Sequence, residues 1–415
     1  MRITRLELHN FKGIGELTVN PAEGVNLFIG RNGQGKSTIL DAAAIALSWF
    51  TARIVNRNAN GKPIDPRDIR NGQREASISI ELDMEGNVVT WTIFGYRSGP
   101  EARKKSDFSS LNHYLDTHAE TLADSVTALP VVCYYPTTRA FVDVPERIRT
   151  KHDFSDRFIA YQGSLDVGAD FRSFFEWYKD EEAAENAENR ITNGYRSPVL
   201  ESVRYAIETF TGFSSLQVKH KPRLRMTLAK GNEELEVSQL SDGEQIYLAL
   251  VGDLARRASQ IGGSAVAAGS ALDEARGVVL IDEVELHLHP SWQRQVLDRL
   301  RKVFPRLQFL VTTHSPQVIG EASRNSAWML DRATGLSALR LAYGSSSDLI
   351  LEGLMDTPSR NEATKREIDE LYELINAGRL DEARSGLASL RARIGEDPEL
   401  TRIAAVLKRR EVLGS

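Results

Sequence analysis

Three short apolar runs in the chain each end at a glycine or at a cluster of polar residues. They are Val25–Ile29, Gly277–Ile281 and residues 307–311. Continuous apolar runs of this length predict strands that are buried on both faces, as in a parallel sheet. Residues 39–49, rich in Ala, Leu and Ile, predict a helix soon after the first strand. This alternation is typical of an α/β protein.

Outside these runs, the pattern divides the chain into four parts. Residues 76–82 and 88–93 alternate apolar and polar positions around a Glu-Gly-Asn turn, which predicts a β-hairpin. The next part is mostly helical and polar in character, and the end of the chain predicts three helices at about 365–376, 380–394 and 398–411. The predicted parts are a first lobe at 1–100, a helical insertion or arm at 101–235, a second lobe at 236–345 and a helical region at 346–415.

Composition limits the location and the partners. The chain has 415 residues, a net charge of −5 and one cysteine. A disulfide framework is therefore excluded, and a reducing cytoplasm is the expected location. The mild acidity argues against a surface that coats nucleic acid as a whole, but it allows a local basic patch. No apolar stretch is expected to reach the roughly 18 residues that span a bilayer, so no membrane partner is predicted.

The loop at residues 30–38 carries the first chemical signal. It reads Gly-Arg-Asn-Gly-Gln-Gly-Lys-Ser-Thr and fits the phosphate-binding pattern G-x-x-x-x-G-K-[ST] between a strand and a helix. Glycines let backbone amides fold around an anion, and the helix presents its positive end to the same phosphates. Lys36 would reach the β- and γ-phosphate oxygens, and the Ser37 hydroxyl would ligate Mg²⁺. The predicted nucleotide-binding residues are Gly30, Arg31, Asn32, Gly33, Gln34, Gly35, Lys36, Ser37 and Thr38.

Polar clusters follow the other two predicted strands. Asp282 and Glu283 come directly after one strand, and Thr-Thr-His-Ser at 312–315 follows the next. Ligands bind at the carboxyl ends of strands in open α/β sheets. Asp282 is therefore the predicted Mg²⁺ ligand, directly or through water, and Glu283 the group that polarises the attacking water. His314 alone would favour a solvated strand end, but beside the other motifs it is predicted to contact the γ-phosphate.

A third loop, Leu-Ser-Asp-Gly-Glu at 240–244, opens a predicted helix at 246–257. Ser241 and Asp242 are good N-cap residues, so the loop by itself indicates only a helix start. A helix start with Gly243 inside it can also receive an anion. Its position before the Asp-Glu strand favours the functional interpretation.

The four motifs, in this order, resemble those of ABC-type ATPases of the SMC/RecF branch. The resemblance implies an ABC-ATPase head, which is a P-loop NTPase with a mainly parallel sheet and an antiparallel β subdomain, here carrying a helical insertion and a C-terminal helical hairpin. In that family two heads sandwich two ATP molecules, so the implied cofactors are ATP and Mg²⁺ and the implied partner is a second copy, in a dimer or a higher oligomer. Carried over, Ser241 and Gly243 would act across the interface, Glu283 would be the catalytic base and His314 the switch histidine.

Three further positions bear on this resemblance. Asp242 departs from the double glycine of the transporters, which argues against a transporter subunit. Asn-Phe-Lys at 10–12 is similar to the end of the first strand in the soluble branch, so Lys12 would approach the nucleotide. The family's glutamine-bearing loop is not identifiable, and Arg139 lies roughly in its place.

The whole pattern, including Leu-Met-x-Thr-Pro-Ser-Arg at 354–360, is similar to the PtuA-type ATPases of Septu and retron-linked antiphage systems, which work beside a separate HNH nuclease. The resemblance implies an ATPase that dimerises on ATP and regulates a partner effector, a nuclease acting on DNA, without being a nuclease itself. Residues 350–356 also mimic the start of a Toprim nuclease of the OLD type, but the later Asp-x-Asp pair is missing from the sequence.

The alternative function is a RecF-like DNA-repair clamp that binds DNA itself. The basic run at 219–225 favours it, because residues 219, 221, 223 and 225 would share one face of a strand. A plain solvated face is at least as compatible with that run.

Two other groups of residues receive structural interpretations. His287 and His289 invite a metal site, but zinc would need more ligands, so we expect a structural turn. Aromatic residues at helical spacing predict a buried helix face rather than a base-stacking surface, and they are Phe171, Phe174, Phe175, Trp177 and Tyr178.

Overall fold

A computed structural model describes residues 1–97, 104–138, 156–166, 171–267, 269–323, 326–331, 335–339, 343–358 and 360–413. The chain forms two units, Met1–Ser345 and Ser346–Ser415. Arg139, the residue at the place of the glutamine-bearing loop, lies outside the described residues.

Within the described residues, the strands belong to the first unit. They are β1 (Arg2–Phe11), β2 (Ile14–Val19), β3 (Val25–Ile29), β4 (Glu75–Met84), β5 (Asn87–Tyr96), β6 (Val131–Tyr135), β7 (Ser214–Lys219), β8 (Arg225–Lys230), β9 (Glu233–Glu236), β10 (Gly277–Ile281), β11 (Leu307–Thr312), β12 (Ala327–Asp331) and β13 (Gly335–Ala338). Its helices are α1 (Lys36–Val55), α2 (Ser109–Thr117), α3 (Ala119–Ala123), α4 (Phe171–Ile191), α5 (Pro198–Thr211), α6 (Asp242–Ile261), α7 (Ser264–Ala267), α8 (Ala271–Glu274), α9 (Pro290–Gln293), α10 (Val296–Val303) and α11 (Pro316–Ile319).

The central sheet has the strand order β13-β12-β3-β11-β10-β6. The pairs from β12 to β6 are parallel, and β13 pairs with β12 in the antiparallel sense. Every residue of β3, β6, β10 and β11 is buried, as continuous apolar runs require. Because these strands are parallel, the loops that follow β3, β10 and β11 meet at one edge of the sheet. The predicted α/β head with a mainly parallel sheet is confirmed.

A second, antiparallel sheet has the order β2-β1-β4-β5. The predicted hairpin is present as β4 and β5, and its turn places Glu85 and Gly86 at φ of 58° and 94°. Gln308 links this sheet to the central one. Its amide accepts a hydrogen bond from the Ile3 N–H at 2.7 Å and donates to the Ile3 carbonyl at 3.0 Å. The antiparallel β subdomain is therefore held against the strand that precedes the Thr-Thr-His cluster.

The interval 101–235, predicted as a mostly helical insertion, also supplies a core strand. β6 pairs in parallel with β10 and closes one edge of the central sheet. The arm itself combines α4 and α5 with a small sheet of order β7-β8-β9. The predicted aromatic face of α4 is buried, and α6 packs against it at Gly252, where a Cβ would lie 2.9 Å from the Phe174 ring.

The basic run at 219–225 connects two strands. β7 ends at Lys219 and β8 begins at Arg225, so the run is not one continuous strand and the condition for a shared basic face is not met. Pro222 lies in the middle of the run, and a proline has no N–H to donate to a strand ladder. The residues between the two strands therefore do not alternate across a sheet.

Carboxylates of β9 pair with the cations of this run. Lys219 forms an ion pair with Glu234, while Arg223 and Arg225 lie 2.9 and 3.4 Å from the Glu236 carboxylate. Three of the four residues predicted to form a phosphate-binding stripe therefore already have acidic partners within the arm.

The helix α1 corrects one expectation about apolar stretches. It has 20 residues and is long and apolar enough to cross a membrane, contrary to the sequence prediction. It begins at the phosphate loop and packs against strands of both large sheets. Of its most apolar 18-residue stretch, 56% is buried inside the protein. These contacts are those of a core helix.

The second unit contains α12 (Ser347–Gly353), α13 (Glu362–Asn376), α14 (Leu380–Ile394) and α15 (Pro398–Leu413). The three predicted helices are thus present. Their apolar faces form a core of their own, made by Ile368, Leu371, Ile375, Ala383, Leu387, Leu390, Leu400, Ile403 and Leu407.

Candidate nucleotide site

The loop between β3 and α1 has the backbone that a phosphate-binding loop needs. Gly30 has φ 156°, and a Cβ on it would lie 2.6 Å from the Leu330 carbonyl oxygen, so the close approach of β12 requires glycine. Gly35 is the N-cap of α1 with φ 107°, and no side-chain hydrogen bond caps the helix. The first amides of α1 are thereby left for an anion, which the helix dipole attracts.

Lys36 lies inside this loop. Its Nζ donates to the carbonyl oxygens of Gly30 at 2.8 Å and Arg31 at 3.2 Å. Burial lowers the pKa of Lys36, while the Asp282 carboxylate opposes the shift. A cation held by loop carbonyls in this position is suited to exchange those contacts for phosphate oxygens.

The Ser37 hydroxyl donates to Oδ1 of Asp282 at 3.1 Å. Asp282 is 3% exposed, and the Thr312 hydroxyl also donates to its Oδ1. A hydroxyl and a carboxylate at this spacing are hard oxygen donors of the kind that Mg²⁺ prefers. The residues present therefore fit the predicted metal, and Ser37 and Asp282 are the residues that would hold it.

Glu283 adopts an unusual backbone. Its φ is 45°, in the left-handed region, and its N–H donates to the Thr312 hydroxyl at 2.7 Å. The next residue, Val284, donates its N–H to the Thr312 carbonyl at 3.0 Å. A non-glycine residue in this conformation is held by its surroundings, and such positions concentrate at functional sites. Glu283 itself is half-buried and directly follows Asp282, the predicted Mg²⁺ ligand.

His314 lies directly after β11 and is half-buried. Burial and the nearby Lys36 cation lower the pKa of His314, whereas Asp282 opposes the shift. Both influences therefore favour the neutral imidazole, in which one ring nitrogen donates a hydrogen bond and the other accepts one.

Glu285 and Thr312 also belong to the site, although no role was predicted for either of them from the sequence. The Glu285 carboxylate accepts hydrogen bonds from the Thr313 hydroxyl at 2.7 Å and from the His314 N–H. The available signals were a second glutamate two positions after Glu283 and a doubled threonine before His314.

Ser241 is the N-cap of α6 and is exposed. Its N–H and its hydroxyl both donate to the Glu244 carboxylate, at 3.0 and 2.9 Å, and Lys230 of β8 donates to the same carboxylate at 2.7 Å. Burial would raise the pKa of Glu244, but the hydrogen bonds from Lys230 and Ser241 hold it below its usual value. The helix start is thus charge-balanced and faces solvent.

Gly243 is buried and packs against a segment of its own chain. A Cβ on it would lie 2.1 Å from the His287 carbonyl oxygen, so only glycine allows α6 to approach the segment after Glu283 so closely. His289, the other histidine of that segment, caps α9 by accepting from the Ser291 N–H at 3.3 Å. Among the described residues no group of three or more His, Cys, Asp or Glu side chains could hold a metal ion.

Lys12 reaches the same end of α1. Its Nζ forms an ion pair with Asp41, which lies one helical turn after Ser37, and the Tyr134 hydroxyl donates to the same carboxylate at 2.8 Å. Lys12 is thus fixed beside the phosphate loop, and its predicted contact with nucleotide stays a prediction.

Comparison with known proteins identifies the family. A family profile described as “AAA domain” matches residues 5–224, and one described as “AAA domain, putative AbiEii toxin, Type IV TA system” matches residues 134–320. The “Retron Ec83 probable ATPase” of Escherichia coli is 30% identical over 467 aligned positions, covering 96% of this chain and 85% of that protein. The “Septu protein PtuA” of Bacillus thuringiensis is 26% identical over 335 positions, covering 78% of this chain and 74% of that protein.

A solved structure confirms the fold. The crystal structure of the SmcHead bound to the C-winged helix domain of ScpA superposes with a TM-score of 0.50 at 16% identity, covering 82% of this chain and 98% of that one. With the phosphate loop and Asp282 at one sheet edge, the chain has the fold of an SMC head and belongs to the AAA-domain ATPase family that includes the retron and Septu ATPases of antiphage systems.

Proposed function

We propose that this chain hydrolyses ATP to ADP and phosphate with Mg²⁺, dimerises when ATP binds, and regulates a partner effector. The hydrogen bond between Ser37 and Asp282 carries the proposal, because it joins the phosphate loop to the acidic strand end in one site. Mg²⁺ held there would neutralise charge on the phosphate oxygens.

The remaining groups divide the chemistry of hydrolysis. Lys36 binds the β- and γ-phosphates in place of its present loop carbonyls. Glu283 orients the attacking water and takes its proton, and His314 donates a hydrogen bond to the γ-phosphate. These roles are supported by the position of each residue after β3, β10 or β11, at one edge of the central sheet.

The position of the Ser241 helix start supports the proposed dimer. In this chain Ser241 is exposed and its hydrogen bonds go to Glu244 of its own helix. An exposed, charge-balanced helix N-terminus is suited to receive an anion presented by another molecule. Ser241 and the backbone at Gly243 would therefore bind the γ-phosphate that a second copy holds.

The effector is inferred from the family. We propose a cytoplasmic complex in which the ATP state of the dimer controls a separate nuclease, such as an HNH enzyme, that acts on DNA. The chain itself would not cut DNA. The RecF-like alternative loses support, because Lys219, Arg223 and Arg225 of the basic run are paired with Glu234 and Glu236.

The test is the assembly state and turnover of Glu283→Gln with and without ATP. The variant keeps the shape of the site but loses the base, so it should bind ATP, hydrolyse it at least about 100-fold more slowly and accumulate as a dimer in mass photometry. As the matched control, Glu274→Gln removes an exposed carboxylate that pairs with Arg306 and should behave as wild type. A monomer at saturating ATP, or unchanged turnover, would contradict the proposal.

The nuclease assignment has its own measurement. The purified chain should leave plasmid DNA intact with Mg²⁺ or Mn²⁺, with and without ATP. Metal-dependent cutting that co-purifies with the chain and disappears in an active-site variant would show that the effector is the chain itself.

A further inference from the structure

The loops after β10 and β11 are tied together by hydrogen bonds that cross in both directions. From β11, the Thr312 hydroxyl accepts from the Glu283 N–H at 2.7 Å and donates to Asp282. From the loop after β10, the Glu285 carboxylate accepts from Thr313 and His314. Each loop therefore fixes the polar residues of the other.

Glu285 makes its two bonds with different oxygens. Oε2 accepts from the Thr313 hydroxyl at 2.7 Å, and Oε1 accepts from the backbone N–H of His314. A carboxylate that receives two donors from consecutive residues fixes both its own plane and the peptide between those residues. The direction in which the His314 side chain leaves the backbone is thereby set.

The same carboxylate is costly to place here. Burial raises the pKa of Glu285, and the hydrogen bonds from His314 and Thr313 oppose that shift, while the neighbouring Glu283 charge adds to it. A carboxylate that is partly removed from water is stabilised by the hydrogen bonds that replace its hydration. Its two donors here are His314, at the predicted switch position, and Thr313, the residue before it.

We propose that Glu285 is a positioning residue that holds His314 in the orientation needed to contact the γ-phosphate. The inference rests on the proposed ATPase function and deepens it. In this role Glu285 acts through His314. In the sequence Asp-Glu-Val-Glu at 282–285, the three acidic residues thus serve Mg²⁺, the attacking water and the switch histidine in turn.

A kinetic double-mutant cycle with Glu285→Gln and His314→Ala tests this role. The amide of glutamine has one acceptor oxygen, so one of the two bonds is lost while the volume is kept. Glu285→Gln should lower kcat roughly 10- to 100-fold and leave the Kd for ATP within about twofold. In the His314→Ala background the same substitution should have no further effect on kcat.

If the two substitutions lower kcat by factors that multiply in the double variant, the proposal is overturned, because Glu285 would then act on something other than His314. A loss of ATP binding in Glu285→Gln would also overturn it. Glu285→Asp keeps both acceptor oxygens and should recover part of the kcat lost in Glu285→Gln. If wild type hydrolyses ATP while the cycle is multiplicative, the positioning role fails and the proposed function stands.

A second readout is independent of turnover. The protein is labelled with a stable isotope at histidine, and its NMR spectrum is recorded. The imidazole resonance of His314 is the one that is missing from the spectrum of His314→Asn. Glu285→Gln should shift that resonance in the nucleotide-free protein, while Glu274→Gln should not. An unshifted resonance would overturn the positioning role even in a chain that hydrolyses no ATP.

Discussion

The Ser37 hydroxyl lies 3.1 Å from Oδ1 of Asp282, although 245 positions of sequence separate the two residues. The contact exists because β11 lies between β3 and β10, all three parallel, so that their carboxyl ends face the same edge. The Thr312 hydroxyl at the end of β11 donates to the same carboxylate. The residues proposed to hold Mg²⁺ are thus brought together by three neighbouring strands.

Asp282→Asn should raise the Mg²⁺ concentration that hydrolysis requires without changing the affinity for ATP. Asparagine keeps the shape and one acceptor oxygen for Ser37 and Thr312, but it removes the charge that holds Mg²⁺. We expect half-maximal hydrolysis to require about 10- to 100-fold more Mg²⁺, with metal-free ATP binding unchanged. An Mg²⁺ titration of the ATPase rate measures this shift. Glu283→Gln is the control, since it should lower the rate without moving the midpoint, and an unmoved midpoint in Asp282→Asn would refute the assignment.

Subunit mixing should show whether the site is shared between two copies. Ser241→Arg places a bulky cation at an exposed helix start and leaves its own phosphate loop intact, whereas Lys36→Ala does the reverse. Each variant alone should be inactive. An equal mixture should recover about a quarter of wild-type activity, because half the dimers then carry one complete site. Gly243 is unsuitable for this test, since a Cβ there would meet the His287 carbonyl of the same chain.

Mixed dimers must be demonstrated for this result to be decisive. The two variants carry different affinity tags, and the mixture is purified on the first tag and then on the second. Only dimers that contain one copy of each variant pass both steps. Inactive tandem-purified heterodimers would rule out a site completed by the partner's helix start.

The residues that could be predicted from sequence are those with local signals. Strands such as Val25–Ile29 and Gly277–Ile281 are buried on both faces, so their apolar runs are unambiguous, and the loop at 30–38 is recognised by its spacing alone. The role of β6 in the core sheet was not predictable, because it depends on pairing with β10 about 150 positions away rather than on its own pattern.

Side-chain contacts across the site were also beyond the sequence. Glu285 reaches Thr313 and His314 only because β10 and β11 end side by side, and nothing in the spacing of 28 and 29 positions indicates it. At residues 219–225 the alternation favoured a strand, but the proline at 222 ended it. Charge pairing with Glu236 then depends on β9, which follows in the arm sheet.

Cys133 is a built-in reporter of the central sheet. It is the chain's one cysteine, it lies on β6, and burial raises the pKa of its thiol to about 12. At pH 8 the native protein should therefore not react with a disulfide reagent such as dithionitrobenzoate, whereas in guanidinium one thiol per chain should appear. Cys133→Ala should give no signal. Rapid stoichiometric reaction of the native protein would show that β6 is not held in the core as described.

A buried charge cluster joins α6 to β6. Asp253 is fully buried and accepts hydrogen bonds from Arg256 at 2.6 Å and Arg257 at 2.8 Å, and from the Tyr135 hydroxyl at 3.1 Å. Burial would raise the pKa of Asp253, but the two guanidinium groups hold it below its usual value. The helix that begins beside Ser241 is thus tied to the strand that neighbours β10.

Asp253→Asn should destabilise the first unit strongly. The amide leaves two buried guanidinium groups without their counter-charge, which costs about 3–5 kcal/mol of unfolding free energy. A guanidinium titration, followed by Cys133 reactivity and by circular dichroism, measures the midpoint of unfolding.

The same cluster makes stability depend on pH. Since the pKa of Asp253 in the folded protein is depressed, its contribution to the free energy of unfolding is present above the ordinary pKa of 3.8. That contribution is lost as the pH falls through the folded pKa. Asp298→Asn, whose carboxylate is 72% exposed in its pair with Arg301, should leave the midpoint unchanged. Equal midpoints for wild type and Asp253→Asn at pH 7 would show that the cluster does not stabilise the head.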